Sequence, residues 1–249
     1  MKYATISSGS KGNSILVYTE NTAILIDCGI TKKKLVAGLA SCGLGIEKID
    51  RLLITHGHSD HTKGIRFVPQ DKWMVSNQVL KEKLREEQYF EPYIPFEVGD
   101  FVITPLPLSH DSVNTTGFIL TAGGETLVYI ADTGYISEKV MDLIHGADYY
   151  LMEANHDTKM LYTSSRPVYL IKRIHSDHGH LDNIASACYL AMAMSKRTKE
   201  VTLMHLSEDC NTPEKALETY NKVMIAQLGK VPEVKLRCAS INDIIKGGA

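Results

Sequence analysis

The chain has 249 residues, 44% hydrophobic and 22% charged, which are the proportions of a soluble globular protein long enough for one large domain. A formal net charge of −2 gives no global pull toward nucleic acid, so a polyanionic partner would need a local basic patch. No apolar run reaches the ~18 residues of a membrane-spanning helix, and five scattered cysteines without C-x-x-C spacing read as reduced thiols in a cytoplasm.

Lys2 to Ile6 reads as a first strand, with no signal-peptide pattern before it. The loop Ser7-Ser8-Gly9-Ser10-Lys11-Gly12-Asn13-Ser14 leads to a second strand ending at Tyr18 and lacks the Lys-Ser/Thr ending of a P-loop. Two readings stay open for it. It is a plain hairpin turn, or its N–H groups with Ser10 and Asn13 face an anionic substrate. Ala23 to Ile26 is a buried strand ending in Asp27-Cys28-Gly29. Thr31 to Ala40 is an amphipathic helix carrying Lys32, Lys33 and Lys34, a solvated face by default and a backbone contact if the substrate is a polyanion.

Ile49 to Ile54 is short, apolar and rich in branched residues, so it predicts a strand. It runs straight into His56-Gly57-His58-Ser59-Asp60-His61. In extended chain His56, His58 and Asp60 project to one side. Asp60 and His61 then diverge unless the chain turns, and neighbouring ligands aimed at different points suggest two metal centres. Histidine with aspartate suits zinc, manganese or iron.

Trp73 to Ser76 predicts a strand, and Asn77 a cap for a helix running to Gln88. Pro92 and Pro95 break the chain, and Phe101 to Thr104 is a strand leading through two prolines to Ser109-His110-Asp111. Gly117 to Thr121 and Thr126 to Ile130 flank Gly123-Gly124, a hairpin signal, and the second of these ends in Ala131-Asp132. Ser137 to Ile144 and Asn183 to Met194 read as helices, Asp148 to Met152 and Val201 to Met204 as strands ending in Glu153 and His205. Thr212-Pro213-Glu214 is a helix start and Gly229 its stop. The mixture predicts an α/β (α+β) protein, a single domain over 1–249 with helices outside two mixed sheets.

The polar residues at these strand ends are Asp27, His56, His58, Asp60, His61, His110, Asp132, Glu153 and His205. Each histidine alone would be a structural residue; their shared position makes them a set. Two divalent ions, zinc or manganese, need about seven or eight protein ligands with positions left open. His56, His58 and His110 would hold one ion, Asp60, His61 and His205 the other, and Asp132 would bridge, since a carboxylate has two oxygens. That arrangement describes a hydrolase.

The ordered set H-x-H-x-D-H, His110, Asp132 and His205 resembles the metallo-β-lactamase superfamily. The resemblance implies an αβ/βα four-layer sandwich and a dinuclear metal site, with Asp60 among the catalytic residues. The Ser7–Ser14 loop, Glu153-Ala154-Asn155-His156-Asp157, Gly179-His180-Leu181-Asp182-Asn183 and the stretch from His205 to Asn211 are similar to the exonuclease-like YycJ (WalJ) branch of that superfamily. Glu153 and His180 also resemble the glutamate–histidine pair of ribonuclease Z. By that likeness His180 protonates the leaving oxygen or binds the scissile phosphate, and Glu153 orients it. The substrate implied is nucleic acid, DNA ahead of RNA, with a cyclic nucleotide or a thioester or lactone as rivals. Two positions depart from the family pattern: Asp182 where serine is usual, and Gly57 where glutamate is common. His156, His175 and His178 flank the pair, in a stretch from Arg166 to His180 whose Lys172 and Arg173 either contact a phosphate backbone or form a solvated loop. His145, before Gly146, is read as structural.

Overall fold

Strands form where branched and aromatic residues run uninterrupted. β1 (Lys2–Ser7), β2 (Ser14–Tyr18) and β3 (Ala23–Ile26) are almost wholly buried and pair antiparallel in chain order. The computed structural model describes residues 1–248. Contacts group the chain into two compact units, each built from separate segments: Met1–Pro107, Ser112–Glu125 and the segment from Ala239 form the first, Leu108–Asp111 and Thr126–Cys238 the second.

In the first unit β4 (Arg51–Ile54), β5 (Trp73–Ser76) and β6 (Tyr89–Phe90) continue the sheet parallel to β3. On its other side β14 (Ile245–Gly248) pairs antiparallel with β1. α1 (Lys32–Ser41), capped by Thr31, lays Leu35 and Leu39 into the core with Ile6, Leu25 and Ile54. β7 (Phe96–Val98), β8 (Phe101–Pro107) and β9 (Thr116–Ala122) form an antiparallel meander. β8 outruns the predicted strand and includes Pro105 and Pro107. β7 partners it only as far as Ile103, so the missing proline N–H groups break no bond there.

The expected helix from Asn77 to Gln88 does not form: this stretch is turns, with one 3₁₀ turn at Glu86–Gln88. Gln78 takes φ 65°, which no helix accommodates, and Val79, Leu80 and Leu84 pack onto the core from turns instead. Packing overrides propensity here.

The second unit is a parallel sheet in the order β10 (Glu125–Ile130), β11 (Tyr149–Glu153), β12 (Glu200–Met204), β13 (Lys235–Cys238). β11 and β12 are buried at every residue, as central parallel strands covered on both faces are. The crossovers carry α3 (Glu138–Ile144), α4 (Thr158–Tyr162), α5 (Val168–Ile174), α6 (Asn183–Ala193) and α7 (Pro213–Leu228). α7 runs between the predicted signals: Thr212 caps it, Pro213 opens it and Gly229 ends it at φ 74°. The short α4 and α5 lie outside the sequence expectations.

Candidate functional site

The first unit gathers the histidine-rich motif around Asp27. Beyond β4 the chain stays extended only to His58, which caps the one-turn helix α2 (Ser59–Thr62). Asp60 and His61 therefore sit on a helical turn and not on extended chain. Asp27, buried, accepts from the Thr55 backbone N–H at 2.9 Å, from Thr55 Oγ1 at 2.8 Å and from His61 Nδ1 at 2.7 Å. Because the Thr55 hydroxyl proton goes to Asp27, its lone pairs receive His56 Nδ1–H at 3.0 Å. The imidazole centroids of His56 and His58 lie 4.7 Å apart, edge to face, and those of His56 and His61 4.2 Å apart, tilted by 46°. Burial pushes the Asp27 carboxyl up, and His61 and Thr55 only partly offset it.

Asn13 lies against the same group. Its backbone N–H donates to Asp60 O at 2.8 Å, and its side-chain amide lies 2.9 Å from His61 Nε2 and 3.3 Å from Asp60 Oδ2. Gly29, beyond β3, donates its N–H to Asn13 O at 2.8 Å and passes so close to the motif that a Cβ on it would sit 1.5 Å from Asp60 O. Asn13 is thus buried against the predicted ligands, whereas Ser10 is exposed.

The second unit gathers Asp132, Glu153, His180 and His205, each offering one donor atom within 4.8 Å of the others. Glu153 ends β11, fully buried, and its Oε1 accepts from His180 Nδ1 at 2.7 Å and from His205 Nδ1 at 3.2 Å. Its Oε2 accepts from the backbone N–H of Thr133 at 2.9 Å and of Leu181 at 3.3 Å. Burial alone would raise Glu153, but the charge and hydrogen bond of His180, with that of His205, outweigh it and bring it down to about 2. Asn155 donates to His205 O at 2.9 Å, and Asp132 Oδ1 lies 3.3 Å from Nδ1 of both His180 and His205. His110 Nδ1 donates to Gly179 O at 3.0 Å, and burial lowers its basicity.

The donor chemistry fits divalent metal. His56, His61, His110 and His205 each engage Nδ1 with an oxygen acceptor, which makes Nε2 the candidate ligand atom; at His61 that atom lies 2.9 Å from the Asn13 amide and at His110 3.3 Å from Asp111 Oδ1. That second contact is what fixes the tautomer of metal-binding histidines. Asp27 and Asn155 are the residues whose roles the sequence did not disclose. Asp27 stood among the strand-end polar residues without a task, and Asn155 carried no signal of its own.

The basic stretch is largely neutralised. Arg173 pairs with Asp111, Arg166 with Asp209 at 2.9 Å, and only Lys172 projects into solvent without a charged partner described. Lys34 turns inward to Ser7 Oγ and Ile241 O, while Lys32 and Lys33 remain exposed. Asp182 caps α6, accepting from Ala185 N–H at 2.7 Å. His145 closes α3 as its C-cap.

A family model described as "Beta-lactamase superfamily domain" matches residues 22–206. The exodeoxyribonuclease WalJ of Streptococcus pneumoniae serotype 2 is 34% identical over 242 residues, covering 92% of this chain and 90% of the relative. The exodeoxyribonuclease YycJ of Bacillus anthracis is 28% identical over 235 residues, covering 90% and 89%. Among solved structures, the metallo-β-lactamase fold protein YhfI from Bacillus subtilis superposes with a TM-score of 0.74 over 99% of both chains at 19% identity.

Proposed function

Because the chain belongs to the β-lactamase superfamily, we propose that it is a metal-dependent phosphodiesterase, an exonuclease acting on DNA. The observation that carries the reading is the buried Glu153 carboxylate locked onto His180 Nδ1 at 2.7 Å, alongside relatives named as exodeoxyribonucleases over nearly the whole chain. A thioester expels a thiolate, which leaves without a proton and has no need of such a pair. Phosphodiester cleavage does, because the leaving sugar oxygen must be protonated.

We assign two divalent ions, zinc or manganese, to His56, His58, Asp60, His61, His110, Asp132 and His205, on the family resemblance and the donor chemistry. Ions so held supply Lewis acidity and a hydroxide near neutral pH. The protein's own groups do the rest. Asp27 holds His61 and Glu153 holds His205, each keeping Nε2 free of its proton. Glu153 also fixes His180 through Nδ1–H, so that Nε2, once protonated, donates to a phosphate oxygen or delivers its proton to the leaving oxygen. Asn13 steadies the Asp60–His61 turn, and exposed Ser10, Lys32, Lys33 and Lys172, with Arg173, are the candidates for backbone contact. No helix of the described residues is long and apolar enough to cross a membrane. Five free thiols suit a reducing cytoplasm. Neither unit is a continuous stretch of sequence, which supports 1–249 acting as a single domain.

The test is cleavage of end-labelled duplex DNA, single-stranded RNA, cyclic nucleotides and a thioester with Mn²⁺ or Zn²⁺. Progressive loss of DNA ends is expected; turnover of the thioester alone would overturn the reading. His180→Ala should lower DNA cleavage about 10²–10⁴-fold, the range of general acid–base catalysis, with metal content unchanged. Loss of metal in that variant would refute its role.

A further inference from the structure

A second group of donors lies in the second unit, apart from the proposed ligands. His156, His175 and Asp182 each present one ligand atom, and the three atoms lie within 4.8 Å of one another. We propose that they form a further cation site, one that takes zinc or a similar borderline divalent ion and braces the Glu153–His180 pair.

The backbone places the donors before any ion arrives. His156 and Asp182 face each other in an isolated parallel bridge, and Asn183 N–H donates to His156 O at 2.9 Å. His175 is the C-cap of α5. His156 is fully buried, while His175 is exposed, so the group opens to solvent on one side. An ion has an entry path and room for a water as fourth ligand, as a site with three protein donors requires.

The tautomer of His156 follows from its neighbours. Asn155 donates its amide N–H to His205 O at 2.9 Å, which turns Asn155 Oδ1 toward His156 Nδ1 at 3.3 Å. Nδ1 of His156 is therefore the N–H, and the lone pair on Nε2 points at His175 Nδ1, 3.3 Å away. In solvent-exposed His175 the proton can move to the outer nitrogen, which leaves two nitrogen lone pairs converging beside a carboxylate. Asp182 keeps its cap to Ala185 N–H at 2.7 Å and its bond from Thr158 Oγ1 at 3.1 Å, since each carboxylate oxygen accepts more than once. Two imidazoles and one carboxylate select zinc-like ions over magnesium or calcium.

The consequence reaches the proposed active site through the chain. His156 lies three residues after Glu153, and His180 lies between His175 and Asp182. An ion held by all three donors ties together the segments on both sides of the 2.7 Å Glu153–His180 contact. His156, His175 and Asp182 are positioning residues in this scheme, and the binding claim stands whether or not the enzyme acts on DNA.

The experiment counts zinc. Full-length protein, His175→Ala, Asp182→Asn and the control His178→Ala are equilibrated with Zn²⁺, gel-filtered and analysed by plasma mass spectrometry. Titrations with Co²⁺ follow, read by its visible absorption. His175 is exposed and asparagine remains a capping residue, so both variants should fold, as circular dichroism will verify. His175→Ala and Asp182→Asn should each lose one equivalent, or bind it at least about tenfold more weakly, the lower range for disturbing a metal's partners. His178→Ala should match the parent. Parent-like titrations for His175→Ala and Asp182→Asn would overturn the site, and so would an equal loss in His178→Ala.

Discussion

Glu153→Gln is the substitution whose effect follows most directly from the geometry. The carboxylate is fully buried and accepts four hydrogen bonds, two from imidazoles and two from backbone N–H groups. Those partners outweigh burial and hold it at about 2 against an ordinary 4.5. At about 1.4 kcal/mol per tenfold, the ionised form contributes on the order of 3 kcal/mol. A depressed carboxyl gives stability that is complete above its unfolded value and is lost as pH falls from about 4.5 to about 2. Urea unfolding of the metal-free parent and Glu153→Gln should therefore differ by about 3 kcal/mol at pH 7, with the gap narrowing below pH 4.5. A gap below about 1 kcal/mol at neutral pH, the net value of one ordinary hydrogen bond, would refute the reasoning. So would a gap that does not narrow in acid.

Asp27→Asn should behave oppositely, because burial raises that carboxyl. Its stabilising contribution is present at low pH and lost as pH rises through the raised value, so the stability of metal-free Asp27→Asn relative to the parent should improve as pH rises. Zinc affinity, by contrast, should fall about 10–100-fold as the Asp27 contact to His61 Nδ1 is disturbed, and a relative stability that falls as pH rises would contradict the sign. Gly29→Ala drives a Cβ to within 1.5 Å of Asp60 O and 2.7 Å of His61 N, both backbone atoms. It should cost about 3 kcal/mol or more and lower metal content together; an unchanged melting curve with full metal would show that the turn can yield.

The fold was legible where chain chemistry and tertiary packing agree. α7 begins and ends on its cap, proline and glycine, and the β3, β4 and β5 runs announce themselves by uninterrupted branched residues. Residues 77–88 misled because alternating Lys and Glu favour helix locally, whereas Val79, Leu80 and Leu84 reach the core only from turns. The proposed ligands were legible because each follows a strand. What holds them was less so. A histidine advertises itself in sequence, but the acceptor on its other nitrogen is a carbonyl, threonine or carboxylate that any chain contains, and only the fold brings the two together.

The same limit governs how the strand ends are shaped. Asp27, Asp132 and His205 adopt φ of 57°, 58° and 55°, the left-handed region that ordinary residues avoid at a cost of about 1–3 kcal/mol each. Each follows a buried strand within two residues: β3 ends at Ile26, β10 at Ile130 and β12 at Met204. Three such residues at three equivalent places are not independent accidents of packing. At two of them the surroundings over-determine the residue: Asp27 N–H is fixed by Leu53 O at 2.9 Å while its carboxylate takes three bonds, and His205 O is fixed by Asn155 as its ring is fixed by Glu153. Glycine would relieve the backbone at any of these positions but would supply no donor. At these three strand ends the left-handed kink carries a side chain with donor atoms, whereas Gln78, Tyr93 and Asn114 take the same region in turns. The kink falls on Asp27, which holds His61, and on Asp132 and His205, two of the seven residues proposed for metal binding.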